Sequence, residues 1–411
     1  MNIFSLILLF FIISIALIES VLSIINLKAQ PKILPIQFKD VYSNEKYQKS
    51  QEYHKATTTL SLVSKAISTG VVVILFCTGG FNVIDQFARS FSLGEIGSGL
   101  LFYAAIGFIF YIVGLPFQLY STFNIEERFG FNRTNARTYI LDTIKGAFLT
   151  CIIGGPLIAA ILWLFGYAGQ NAWVYCWLFT FCFSLFIQVI APIVIMPLFN
   201  KFTPLDEGNL KQNITTYAQK QNFTIQGIFT MDGSKRSSKL NAFFTGLGKY
   251  KKIALFDTLI EKLSEEEIVA VLAHEIGHAK KKHLIKGMVL SVIQTGFIFY
   301  ILSIILKNDA FANAFGMTNP SIYASLFFFG YLFGPVNFIL SAFFNKISRK
   351  HEFEADHFAA KTTGTATHLI SALKKLSGEN MATLYPHPLY VTFYYSHPPL
   401  GKRLDSLNNI F

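Results

Sequence analysis

The stretch GAFLTCIIGGPLIAAILWLFGYAGQNAWVYCWLFTFCFSLFIQVIAPIVIMPLFN, residues 146 to 200, contains no Asp, Glu, Lys or Arg. A water-facing surface cannot be built without charge, so this segment belongs in a bilayer. Its length admits two crossings of about 20 residues each, and GYAGQN (Gly166–Asn171) supplies the turn between them. These two spans are Ala147–Phe165 and Ala172–Leu198. Outward from them lie five more apolar runs: Ile3–Ile25, Ala66–Ile84, Gly99–Phe123, Leu284–Leu306 and Ser321–Phe344. Seven spans fit a chain that is 52% hydrophobic and 14% charged, where soluble proteins carry about 25% charged residues. No basic residue precedes the first run and no small-residue cleavage site follows it, so it reads as an uncleaved span and not as a secretory signal.

The net charge of +11 follows topology. Lys28, Lys32, Lys39, Lys46, Lys49 and Lys55 lie in the first loop. Arg128, Arg133, Arg137 and Lys145 lie in the third. The long fifth loop and the tail after Asn345 are also basic, while the opposite loops hold few charges, such as Arg89 and Lys307. With seven spans, all the basic segments fall on one side, which the positive-inside rule makes cytoplasmic, leaving the N-terminus outside. This placement argues for contact with membrane lipids and against nucleic acid as a partner. The sequons at Asn132, Asn213 and Asn222 fall on the basic side and are expected to be unmodified. Cys77, Cys151, Cys176 and Cys182 sit in apolar runs without paired spacing, and read as buried small hydrophobes.

The chain divides into a membrane region (1–200, spans one to five), a catalytic segment (201–283), spans six and seven (284–344) and a C-terminal catalytic segment (345–411). In the first catalytic segment, Lys252–Phe256 reads as a strand. LSEEEIVAVLAHEIGHAKKKH reads as a helix that Ser264 caps, with Glu267 closing a capping box and Leu263 and Ile268 forming a staple. That helix carries H-E-x-x-H. His274 and His278 stand about 6 Å apart along the axis and about 40° apart around it, so both imidazoles reach one ion. Glu275 is placed to touch a metal-bound water as a base. A catalytic zinc site typically has three protein ligands. SRKHEFEADHFAAK, just beyond span seven, offers His351, Glu352, Glu354, Asp356 and His357. Glu352 and Asp356 share a helical face. Glu352 is assigned as the third ligand, and Asp356 as the group that accepts a hydrogen bond from a ligand histidine. His283 points away from His274 on a continuous helix and, with Lys280, Lys281, Lys282 and Lys286, marks the membrane interface. His54 and His368 have no acidic or histidine neighbours and take no role. Near the C-terminus His397 with Arg403, or else His387, supplies a donor to an oxyanion. The residues alone do not choose between the two histidines.

Six blocks in order carry a resemblance: LYSTFNIEERFGFNRT (Leu119–Thr134), MPLFNKFTPL (Met196–Leu205), GSKRSSKLNAFFTG (Gly233–Gly246), VAVLAHEIGHAKKKH, SRKHEFEADHFA and YSHPPLGKRL. The chain resembles the integral-membrane zinc endopeptidases of the CAAX prenyl protease type I family. The resemblance implies that His274, His278 and Glu352 bind one zinc ion per chain and that Glu275 is catalytic. It places Asp356 in the E-x-x-x-D pair, has His397 and Arg403 line the site, and so favours His397 over His387. It makes Asn241, Ala242 and Phe243 an extended edge for substrate. The fold class it implies is a mainly α, polytopic membrane protein. In the fold the resemblance implies, seven transmembrane helices enclose a chamber, with a zincin-like α+β catalytic region on the cytoplasmic side. The substrate implied is a peptide or protein carrying a lipid anchor. Lys239 and Leu240 depart from the family's more polar pattern. The polar residues within the spans (Glu19, Gln118, Gln188, Gln294, Asn337) suit either a chamber or bonds between helices, and Pro116, Pro192 and Pro335 suit kinks. Two other functions fit the same residues: a protease for membrane-protein quality control, and a transporter or channel in which the histidines form a regulatory metal site. The carboxylate beside the ligands favours hydrolysis over the second.

Overall fold

The computed structural model describes residues 3–245, 252–306 and 315–411. Gly246 and Lys307 fall outside these residues. Among the described residues, seven helices are long and apolar enough to cross a membrane: Ile3–Lys28, Asn44–Cys77, Gly94–Phe129, Ala136–Tyr167, Gly169–Phe199, His283–Ile305 and Ile322–Thr363. They follow the seven expected spans in order, with one correction. Span two was expected over Ala66–Ile84, but its helix ends at Cys77. Gly79, at φ 73°, breaks the chain before a separate helix Gly80–Ser90. The apolar run misleads because that short helix buries Phe81 and Ala88 as well. Its Asp85 is fully buried, pairs with Arg89 and accepts a hydrogen bond from the Tyr323 hydroxyl on span seven. The helix is thereby tied to the bundle where the sequence suggested a continuous span.

Each span packs on the next, and span seven packs back on span one, so the seven close a ring. The densely packed core lies at the end remote from the basic loops. There Leu8, Val72, Phe102, Leu162, Cys176, Leu302 and Phe328, one from each span, meet in a single cluster. Polar groups inside the spans pair across helices. Glu19 meets Lys65 at 2.7 Å between spans one and two, and Gln294 donates to Asn337 at 3.4 Å between spans six and seven. Pro116 lies one turn ahead of a π-helical turn, Ser121–Glu126, and Pro192 lies within another, Ala191–Ile195. A missing N–H within a helix favours such local rewinding. Of the cysteines only Cys176 is buried. Cys77, Cys151 and Cys182 are exposed, so the reading as buried small hydrophobes holds for Cys176 alone.

Beyond the basic face stands a four-stranded sheet in the order β1 (Phe202–Pro204), β2 (Gly227–Met231), β4 (Lys252–Phe256), β3 (Ala242–Thr245). β2 and β4 are parallel and both outer pairings are antiparallel. The helix Glu265–Lys280 packs on this sheet: Ile268 and Leu272 join Ile253 and Leu255 in one core, with Leu263 as the staple. Ser264 and Glu267 form the capping box expected from the sequence. Glu267 also receives Lys375 at 2.8 Å and Ser371 at 2.6 Å. Burial raises the pKa of this carboxyl, but these donors outweigh it and hold the value below the usual carboxylate range.

Span seven does not stop at the bilayer. Its helix runs 42 residues from Ile322 to Thr363, about 63 Å at 1.5 Å per residue, against a hydrocarbon core of about 30 Å. The surplus carries the E-x-x-x-D residues beyond the basic face without a loop, so the lateral position of Glu352 is set by the packing of span seven.

Candidate metal centre

The two helices just described cross at Gly277. A Cβ there would meet the Ala355 Cα at 3.1 Å and the Ala355 carbonyl oxygen at 3.2 Å. Backbone therefore faces backbone, and the H-E-x-x-H and E-x-x-x-D residues come together. Gly277→Ala is expected to push the helices apart by a few tenths of an ångström. The intrinsic gain of about 1 kcal/mol for Ala over Gly in a helix would be offset by this clash, and metal affinity would fall. Metal titration of the variant checks this, and affinity equal to wild type would refute it.

Among the described residues, His274, His278 and Glu352 form one group whose ligand atoms all lie within 4.8 Å of one another. The imidazole nitrogens turned inward are both Nε2, 3.1 Å apart. Glu352 reaches His278 Nε2 at 3.2 Å and His274 Nε2 at 3.5 Å. The carboxylate is 3% exposed, and its Oε2 is buried without an acceptable hydrogen-bond donor, even though His397 Nδ1 lies 2.8 Å away. Two imidazoles and a buried carboxylate oxygen left short of donors fit a divalent cation that takes nitrogen and oxygen ligands, as zinc does.

Asp356, fully buried, holds two partners at once. It accepts from His274 Nδ1 at 2.8 Å and takes a two-pronged contact from Arg403, Nε at 2.8 Å and Nη2 at 2.6 Å. The other guanidinium nitrogen, Nη1, lies 3.7 Å from Glu352. Arg403 is thus bound into the frame of the site, while His397 stands on its open side with 66% of its side chain exposed. His387 is elsewhere: its ring nitrogen accepts from Leu389 N–H and caps the helix Pro388–Tyr394. Burial pushes the pKa of His274 down, but the contacts with Asp356 and Glu352 outweigh it and lift the value to about 9. Below that pH, metal uptake displaces a proton from this ring. Glu275 is half-buried and makes no hydrogen bond or ion pair among the described residues. Its charge adds to the field that keeps Arg403 ionised.

One expectation is corrected. His283 does not point away from the ligand histidines on a continuous helix. It is 5% exposed, stacked on His351 at 4.0 Å, and its Nδ1 lies 3.0 Å from His278 Nδ1. The helix does not continue through it. Lys282 adopts a left-handed conformation, φ 57°, which ends one helix and turns the next back toward the metal position. Lys281 and Lys282 give no stop signal, so the expected helix runs on to His283 while the observed one ends at Lys280.

Asn241, Ala242 and Phe243 begin at the sheet edge. β3 pairs with β4 on one side and has no strand partner on the other among the described residues. Phe244 packs on the cluster that contains Ala273 and Ile276, which sets this edge beside the metal helix. The two departures just upstream are anchors. Leu240 is buried, and its backbone exchanges two hydrogen bonds with Asn380, 2.8 and 3.1 Å. Lys239 Nζ binds Tyr53 at 2.9 Å and Glu126 at 3.0 Å, over the ring of Phe131. Lys239 ties the start of the edge to spans two and three, and Leu240 ties it to the C-terminal segment.

Residues 204–410 match the model of peptidase family M48, and residues 23–201 match that of the CAAX prenyl protease N-terminal region with five membrane helices. A CAAX prenyl protease 1 homolog of Oryza sativa subsp. japonica is 36% identical, over 92% of this chain and 90% of its own length. CAAX prenyl protease 1 of Saccharomyces cerevisiae is 34% identical, over 92% and 89%. The crystal structure of S. mikatae Ste24p superposes with a TM-score of 0.92 at 34% identity, covering 99% of both chains.

Proposed function

The chain belongs to peptidase family M48 and is a multi-pass membrane metalloendopeptidase; from that premise we propose that it holds one zinc ion at His274, His278 and Glu352 and removes C-terminal peptides from prenylated, membrane-anchored polypeptides. The observation that carries this reading is the convergence of three ligand atoms, supplied by two distant segments, beside a strand edge that has no strand partner among the described residues. The names of the relatives support a prenylated substrate.

Bound there, zinc would acidify a water molecule and polarise the scissile carbonyl. Asn241, Ala242 and Phe243 take the peptide backbone by strand addition, which sets the bond over the site. Glu275 accepts the proton of the attacking water and delivers it to the leaving amine. Asp356 holds the His274 ring with its Nε2 inward, and Arg403 locks Asp356 in turn. His397, turned off Glu352, donates to the developing oxyanion. The basic face and the catalytic region lie in the cytosol, with the N-terminus on the other side. A pocket lined by His278, His283, Ser291, Gln294 and His351 opens beside the metal position between spans six and seven, which supports a substrate whose tail stays in lipid.

Hydrolysis of a prenylated CAAX peptide, its unprenylated twin and an unfolded membrane protein tests the substrate. The prenylated peptide is expected to lead by at least about tenfold in kcat/KM, about 1.4 kcal/mol. Equal rates on all three would overturn the prenyl assignment and favour a quality-control protease.

A further inference from the structure

His274 and His278 both turn Nε2 toward the metal position. A neutral imidazole that offers Nε2 carries its proton on Nδ1, and that proton needs an acceptor. For His274 the acceptor is Asp356. For His278 it is another imidazole, with Nδ1 of His283 at 3.0 Å. The far nitrogen of His283 lies 3.0 Å from Glu354 Oε2. With both rings neutral, one arrangement of protons satisfies every contact: His278 Nδ1–H donates to His283 Nδ1, and His283 Nε2–H donates to the Glu354 carboxylate.

We propose that His283 and Glu354 form a positioning relay that fixes the tautomer and orientation of His278, as Asp356 does for His274. The proposal rests on His278 being a metal ligand. His283 opens span six and Glu354 lies on the extension of span seven, so the relay also ties this ligand to both spans. The stack of His283 on His351, 4.0 Å apart and 8° from parallel, keeps the ring upright between its two partners. Glu354 is partly exposed and has Lys350 at 3.9 Å, so its charge is only lightly compensated from its own helix. Carboxylate partners of ligand histidines typically govern metal affinity by about 10- to 100-fold.

The test is zinc affinity of the full chain in detergent, measured by competition with a chromophoric chelator. The variants are His283→Phe, which keeps a ring to stack on His351, His283→Asn, which keeps an acceptor near the Nδ1 position, and Glu354→Ala. His283→Phe is expected to bind zinc about 10- to 100-fold more weakly than wild type, with His283→Asn recovering most of the loss and Glu354→Ala weakened in the same direction. Affinity within about twofold of wild type for His283→Phe, or an equal loss in Phe and Asn, overturns the relay. If His283→Phe fails to fold, Glu354→Ala decides by the same criterion. If wild type itself binds no zinc, the premise about His278 fails instead, and that result is distinct from tight binding by every variant.

Discussion

Glu275→Gln is expected to retain one zinc ion per chain and to lose peptidase activity by about 10²- to 10⁴-fold, the range for removing a positioned general base. The loss should fall on kcat, with KM little changed, because the carboxylate acts on a proton in flight and not on the bound peptide. Gln has nearly the shape of Glu. Since Glu275 is half-buried and makes no hydrogen bond or ion pair among the described residues, the substitution leaves no partner stranded, and thermal stability should be preserved. Zinc stoichiometry by elemental analysis and single-turnover rates on the same preparation check both halves of the claim. A variant that keeps its zinc and cleaves as fast as wild type would show that another group serves as base.

The parts of this molecule that were legible in the sequence rest on local signals. The charge-free stretch from residue 146 to 200 allowed only a membrane assignment. The capping box at Ser264 and Glu267 fixed the start of the metal helix within the sequence itself. Lys252–Phe256 reads as a strand and is one. What was not legible depends on backbone turns without a sequence mark, or on contacts between distant segments. Nothing about Lys281 and Lys282 announces the left-handed residue that turns His283 inward. Apolar content runs through Gly79 because the helix after it is itself packed on the bundle. Lys239, which looked out of place in a substrate edge, is held by Tyr53 and Glu126 from two other elements. The proposed third ligand is an intermediate case. Five residues of one short segment were candidates. The choice of Glu352 came from sharing a face with Asp356, and the close approach at Gly277 places that face against the histidines.

Glu352→Gln is expected to abolish zinc binding and, with it, activity. The variant also separates the two states of the site. The Glu352 carboxylate stands among His278 at 3.2 Å, His397 at 2.8 Å and Arg403 at 3.7 Å. A neutral amide supplies a weaker ligand oxygen and no charge to balance the cation, and two imidazoles alone do not make a catalytic zinc site. Linkage gives the size of the signal. A ligand that binds only the folded state stabilises it by about 2.7 kcal/mol when present at 100 times its dissociation constant. Wild type stripped with a chelator should therefore melt earlier than the zinc-loaded protein, and adding zinc should restore the transition. Glu352→Gln should melt at one temperature whether zinc is present or not, and the same preparation should show no bound metal. Folding and metal loading are thus read separately. A variant that unfolds outright would show no cooperative transition at all, whereas loss of the ligand alone leaves a transition that zinc no longer moves. A Glu352→Gln protein that still binds one zinc ion as tightly as wild type would remove this carboxylate from the metal centre and leave the hydrolytic assignment without its third ligand.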